Sequence, residues 1–218
     1  MDIPYLSPSE IEGLPRFWIR KISRHKANVC VIEIKGKKYV LKEVTKMPWI
    51  LRVTLGRWLL FREILVYKKL NGIEGIPKLI ARVGKDAILL TFEEGKPLRK
   101  ETKPFIPVGF FDKLEALVNA IHERGIVHLD LGQRKNILVR KDGSPVILDF
   151  GSAVGASLPT PIGKILVKIF GWIDKRGLLM QRLRYGDGLN EKYKKALRRA
   201  NLIRRFWIFN KPSKPTKI

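Results

Sequence analysis

Three oxygen-bearing side chains, Asp130, Asn136 and Asp149, are spaced along residues 127–154, VHLDLGQRKNILVRKDGSPVILDFGSAV. Between them, 137–140 and 145–148 are short apolar runs separated by Lys141-Asp142-Gly143-Ser144, the signature of a β-hairpin with an Asp-Gly turn. A hairpin returns its outer ends to one place, so the two carboxylates and the amide are expected to converge at one mouth of a cleft. Carboxylate and amide oxygens gathered in this way suit a hard cation.

A second hairpin carries cations among small apolar neighbours. Runs 29–34 and 38–44, rich in β-branched residues, flank Lys35-Gly36-Lys37 and read as a second hairpin. Alternation of side chains puts Lys38, Val40, Lys42 and Val44 on one face. Downstream, Leu51, Leu55, Trp58, Leu59, Leu65 and Val66 recur at helical spacing between 48 and 70, giving one long helix or two short ones interrupted at Gly56. Glu63 is the only acid of that window, among Arg52, Arg57, Arg62, Lys68 and Lys69. Its own neighbourhood offers a local helix pair with Arg62 or Lys68. Turn-rich residues 71–77 lead to strands at 79–83 and 87–92, then Glu93-Glu94-Gly95. A helix over 107–124, with Leu114, Leu117, Val118 and Ile121 on one face and Gly125 as its cap, delivers the chain into His128.

These residues resemble the protein-kinase-like superfamily. His128-Leu129-Asp130-Leu131 with Asn136 is similar to its catalytic loop, and Asp149-Phe150-Gly151, one hairpin later, to its metal-binding loop. The resemblance spans about residues 20–185 and implies ATP and Mg²⁺ as cofactors. Asp130 then orients the acceptor hydroxyl and takes its proton, and Asp149 and Asn136 hold the metal. Lys42, fixed by Glu63, contacts the α- and β-phosphates. Val29 and Val40 line adenine, Glu94 marks the hinge between lobes, His128 is a packed structural residue, and Asp174 is either the helix acid that braces the catalytic loop or an exposed charge.

The chain departs from the family pattern in three places. Leu129 replaces the usual arginine, which removes the receiver for an activation-loop phosphate. Asn136 lies six positions after Asp130 instead of five, so the extra residue is either absorbed as a bulge or displaces the metal ligand. The glycine-rich phosphate loop is missing, with Ile22, Arg24 and Ala27 where glycines usually lie, leaving Arg24, His25 or Lys26 to supply charge in place of backbone amides.

Composition sets the outer bounds. The chain has 218 residues, 45% of them apolar, enough for a sizeable core. A formal charge of +24 implies anionic company, whether nucleic acid, a membrane surface or phosphorylated substrates. Cys30, the single cysteine, falls in an apolar run and reads as a buried hydrophobe, which excludes a disulfide framework. His25 and His122 have no partners in sequence, which argues against a histidine metal site. No apolar h-region opens the chain and no uncharged apolar run is long enough to span a bilayer, so a cytoplasmic start is expected. Residues 161–218 carry 16 Lys or Arg against 3 acids, interleaved with Trp172, Tyr185, Tyr193, Phe206, Trp207 and Phe209. Such a segment suits an anionic membrane surface, with Trp207, Phe206 and Phe209 inserting and Arg198, Arg199, Arg204 and Arg205 on lipid phosphates, or else nucleic acid.

The expected architecture is α+β and two-lobed: a lead-in over 1–19, a small β-sheet lobe over 20–94, a reduced helical lobe over 95–185 carrying the site, and a basic aromatic segment over 186–218. With 67 residues after Gly151 and no Ala-Pro-Glu signature, the chain resembles RIO-type kinases and bacterial lipopolysaccharide sugar kinases more than peptide-directed signalling enzymes. The function so implied is phosphotransfer to a hydroxyl acceptor, preferably a membrane-borne glycolipid sugar, at the inner face of a membrane. The alternatives are a RIO-like serine/threonine kinase, a pseudokinase, and a nucleic-acid-associated binding module.

Overall fold

The structure, a computed structural model, describes residues 4–19, 22–186 and 191–205. Phe206, Trp207, Phe209 and the side chains of Arg199, Arg204 and Arg205 lie outside that description, and with them most of the expected membrane anchor.

Strands β1 (Tyr5–Leu6), β2 (Phe17–Trp18), β3 (Asn28–Ile34) and β4 (Lys37–Glu43) open the chain. Next come a short helix α1 (Trp49–Leu51), a wide π turn (Arg52–Gly56) and helix α2 (Arg57–Lys69), followed by β5 (Leu79–Val83) and β6 (Ala87–Thr91). All six strands form one sheet in the order β1-β5-β6-β4-β3-β2. The expected lead-in is therefore part of this lobe: β1 pairs in parallel with β5, and β2 pairs with β3 at the other edge. Lys35 and Gly36 both have positive φ, as a two-residue turn matched to strand twist requires, and this fixes the β3–β4 register that sets Val29 opposite Lys42.

The sheet has two differently occupied faces. Cys30, Ile32, Leu41 and Leu89 are buried on one side with Ile11 of the lead-in, so Cys30 is the core residue expected. Burial is the main reason its thiol pKa rises to about 11. The other face carries Val40, Lys42, Val44, Ile88 and Leu90 toward α2 and the second lobe.

Past residues 92–95 the chain makes β7 (Lys96–Pro97), α3 (Phe110–Glu123), β8 (Ile137–Val139), β9 (Pro145–Ile147), α4 (Thr160–Tyr185) and α5 (Glu191–Arg205). The hairpin expected around Asp142-Gly143 is β8–β9, and β7 adds a third strand. Helix α3 buries Phe110, Leu114, Leu117, Val118 and Ile121. It ends in a Schellman cap: Gly125 has φ +71°, with its N–H on the His122 carbonyl and the Ile126 N–H on the Ile121 carbonyl. Arg140 of the hairpin donates to Glu93 at 2.6 Å and so ties the second lobe to the segment that leaves the sheet after β6.

Helix α4 lies against the backbone of the segment that carries Asp130. A Cβ on Gly177 would meet the Gly132 nitrogen at 2.7 Å, and one on Gly163 the Gly125 carbonyl oxygen at 2.5 Å. Glycine in a helix interior normally costs stability relative to alanine, so these two positions are held by close approach. Gly177→Ala is expected to destabilise the fold by roughly 1–3 kcal/mol, the cost of overpacking, instead of stabilising it as at a free helix site. Urea unfolding of the two proteins measures the sign.

Candidate active site

The centre of the site is a buried ammonium. Lys42 on β4 donates to Glu63 of α2 at 2.8 Å and to Asp149, after β9, at 3.0 Å. Of the two pairings open to Glu63, the structure has the one with Lys42, while Arg62 turns away to the Ala153 carbonyl. Burial, the largest single influence on Lys42, opposes its charge, but Glu63 and Asp149 together outweigh it and raise its pKa above 10.5. Tyr67 sits one turn beyond Glu63. Its phenol is held well above its ordinary pKa, first by burial and then by the Glu63 and Asp149 carboxylates, and it hydrogen-bonds Glu63.

Asp130 and Asn136 meet in the loop after α3. The Asn136 amide nitrogen donates to the Asp130 backbone carbonyl at 3.1 Å and to its carboxylate at 3.0 Å. The sixth residue of the spacing is taken up by a 3₁₀ turn over Arg134–Asn136, which keeps Asn136 buried beneath Asp130. The other Asp130 oxygen accepts from Gln133 Nε2 at 2.9 Å, a contact with no sequence signal. Leu129 and Asp149 both adopt left-handed backbone, φ +65° and +61°. A non-glycine residue there typically costs about 1–3 kcal/mol, and such strain collects at functional sites.

The brace of this loop is Asp174. It is fully buried in α4 and accepts from the backbone N–H groups of His128 and Leu129, each at 2.8 Å, and pairs with His122 at 3.0 Å. His122 thus has a partner that its own neighbourhood did not reveal. His128 is structural, as expected: fully buried, its Nε2 lies 3.0 Å from the Leu148 carbonyl and its ring packs edge-on against Phe150.

A cavity of about 280 Å³ joins these groups, lined among others by His25, Lys26, Lys42, Glu63, Asp130 and Asp149. Val29 and Val40 lie on the Lys42 face of the sheet but outside its lining. The Glu94 side chain is also outside, exposed and 3.8 Å from Lys141. Asn136, buried with its amide nitrogen on Asp130, is likewise outside the lining, so the donors that line the cavity and fit the cofactors implied are the Asp149 carboxylate for a hard cation and the fixed Lys42 ammonium for phosphate. Among the described residues, no group of three or more His, Cys, Asp or Glu side chains gathers as a metal site, and no helix is long and apolar enough to cross a membrane.

Comparison with solved structures gives the Rio2 kinase from Chaetomium thermophilum, with a TM-score of 0.61 and 18% identity over 93% of this chain and 71% of that one. The two-lobed α+β architecture is therefore the protein-kinase-like fold. Among curated proteins, serine/threonine-protein kinase PknD of Chlamydia trachomatis serovar D is 37% identical over 93 residues, and that of Chlamydia muridarum 38%. The match takes in 41% of this chain and only 9% of those proteins' length. No family model matches. The solved structure thus shows the fold, and the shared segment is similar to part of a serine/threonine-protein kinase.

Because Glu63 contributes to the raised pKa of Lys42, Glu63→Gln is expected to lower it. Amine acylation of Lys42, followed by mass spectrometry across alkaline pH, should begin at lower pH in the variant. The sign for stability follows: the Lys42 contribution is complete below 10.5 and is lost as pH rises through the higher folded value. Lys42→Ala and Glu63→Ala should couple by roughly 1–3 kcal/mol in a double-mutant cycle of urea unfolding.

Proposed function

We propose that this protein moves the γ-phosphoryl group of Mg-ATP to a hydroxyl acceptor. The observation that carries this reading is the Lys42 ammonium fixed between Glu63 and Asp149 in the cavity that Asp130 also lines. Lys42 would hold the α- and β-phosphates. Asp149 and the Asn136 carbonyl oxygen would hold Mg²⁺, which when bound neutralises charge developing on the transferred group. Asp130, oriented by Gln133 and Asn136, would align the hydroxyl and accept its proton. No covalent intermediate with the protein is needed. The chain's contribution is positioning and electrostatics.

For the acceptor we favour a sugar hydroxyl of a membrane-borne glycolipid, which makes the protein peripheral to the inner face of a membrane. Support comes from a groove of about 750 Å³ beside the cavity, sharing Gln133 and Lys135 with it. Arg99, Lys100, Arg134, Lys135 and Arg184 line it against a single acid, Glu101, and suit an acceptor that bears phosphate or carboxylate groups. A second reading, a RIO-like serine/threonine protein kinase, is favoured by the likeness to the Rio2 kinase fold.

Asp149→Asn is expected to reduce Mg-dependent ATP hydrolysis and autophosphorylation by about 10²-fold or more, with the melting temperature little changed. Asp130→Asn should reduce transfer to the acceptor. Wild-type turnover in Asp149→Asn would exclude Asp149 as the metal ligand and with it this site, and no Mg-dependent turnover by wild type itself would leave a pseudokinase that uses the cavity for binding.

A further inference from the structure

The apolar residues of 48–70 do not all turn to one side. Helix α2 buries Leu60, Ile64, Val66 and Tyr67 under the sheet. Leu51, Leu55 and Trp58, which recur at helical spacing in the sequence, face solvent. Trp49 is 68% exposed, Ile50 66%, and Trp58 and Phe61 each 53%. A surface helix ordinarily turns polar residues to water on this side, and clustered exposed aromatics with large aliphatics mark an interaction surface.

We infer that the outer face of α1, the π turn and α2 docks on an anionic lipid bilayer. Its side chains have the composition of an interfacial helix: two tryptophans, a phenylalanine and aliphatics, with cations at the margin. Lys46 is exposed beside it, Arg62 stacks on the Trp58 ring at 4.8 Å, and Arg52 and Arg57 share the single carboxylate of Asp86. The only acid between 44 and 69 is Glu63, turned inward to Lys42. A second copy of this chain fits the face poorly, because isologous pairing would set these cations against their own equivalents in a protein of charge +24. A surface of lipid phosphates supplies the opposite sign.

The placement serves the site. Met47, Leu59 and Leu60, from the same segment, line the cavity with Lys42 and Asp149. Docking on the opposite side of the helix would hold the cavity about one helix diameter, roughly 10–12 Å, from the lipid surface, within reach of headgroups. This deepens the membrane-borne acceptor of the proposed function and in that respect rests on it. Vesicle binding itself needs no nucleotide, so the two ideas fail separately.

The test is co-sedimentation of the full chain with vesicles of phosphatidylcholine alone and of phosphatidylcholine mixed with phosphatidylglycerol, with no ATP present. Wild type is expected to sediment with the mixed vesicles only. Trp49→Ser combined with Ile50→Ser should weaken that partition by about tenfold or more, and Lys46→Glu, which leaves the apolar face intact, should also weaken it. All three side chains are exposed, so melting temperatures should match wild type. The proposal is overturned if wild type ignores the mixed vesicles, or if the Trp49/Ile50 variant partitions like wild type. It is equally overturned if Trp207→Ser, and not the helix variant, abolishes sedimentation, since the C-terminal segment is then the anchor. Size exclusion closes the remaining route: a wild-type dimer that the helix variant converts to monomer, with no vesicle binding, assigns the face to a second copy.

Discussion

A lone ammonium inside a protein is too costly to keep, and Lys42 is kept because two carboxylates reach it from different parts of the chain. Glu63 lies 21 residues away and Asp149 107 residues away. The pairing therefore demands that α2 pack against the sheet at one rotation and that the segment after β9 return to the cleft. Tyr67 and Phe150 carry the constraint further. Their rings meet edge to face at 5.5 Å, and Phe150 in turn packs on His128, so the helix, the Asp149 loop and the Asp130 loop share one apolar contact chain. Removing Glu63, the buried partner, would leave Lys42 with only the half-exposed Asp149, whereas losing Asp149 leaves the buried Lys42–Glu63 pair intact, so it is the Glu63 side of the network that binds site to fold.

The same logic, with opposite sign, governs Asp174. A buried carboxylate needs donors, and here it receives two consecutive backbone N–H groups and His122. Those N–H groups belong to a turn that places Leu129 in left-handed backbone, a conformation the chain would otherwise leave. Asp174 thus stabilises the strain that aims Asp130 into the cavity. It can do so only because α4 approaches so closely, which the glycines at 163 and 177 permit.

What was legible in the sequence follows from how local each cause is. Both hairpins, the α3 cap and the Asp130–Asp149 convergence depend on turns of a few residues, and they stand where the pattern put them. The Lys42–Glu63 pair was legible through the family resemblance, which asks for a helix acid opposite the strand lysine, and Glu63 is the only acid in its window. Asp174 was balanced between brace and surface charge because its partners lie 45 to 52 residues away. Gln133 and Tyr67 gave no signal at all, since a loop glutamine and a helix tyrosine take their roles from neighbours that only the fold supplies. The helical spacing on 48–70 announced the helix but not its buried side, because apolar residues lie on both sides of it and periodicity cannot say which one the core takes. The π turn over Arg52–Gly56 compounds this by shifting the phase midway.

The missing glycine loop shows how one local choice moves the burden of recognition. In the segment that would cover a nucleotide's phosphates, the Ser23 N–H donates to Asn28 Oδ1, and the His25 N–H to the Ser23 hydroxyl. Asn28 returns its own amide hydrogen to the Ser23 carbonyl at 2.9 Å. Two amides that a glycine loop would offer to phosphate are thus already engaged, and Asn28, fully buried, holds the turn in that state. What this segment presents to the cavity is the His25 and Lys26 side chains. A flexible side-chain ammonium such as Lys26 attracts phosphate without fixing its orientation as backbone donors do. On the phosphotransfer reading, alignment of the nucleotide then falls on the rigid side of the cavity, where Lys42 is held by two carboxylates and Asp149 by its left-handed turn.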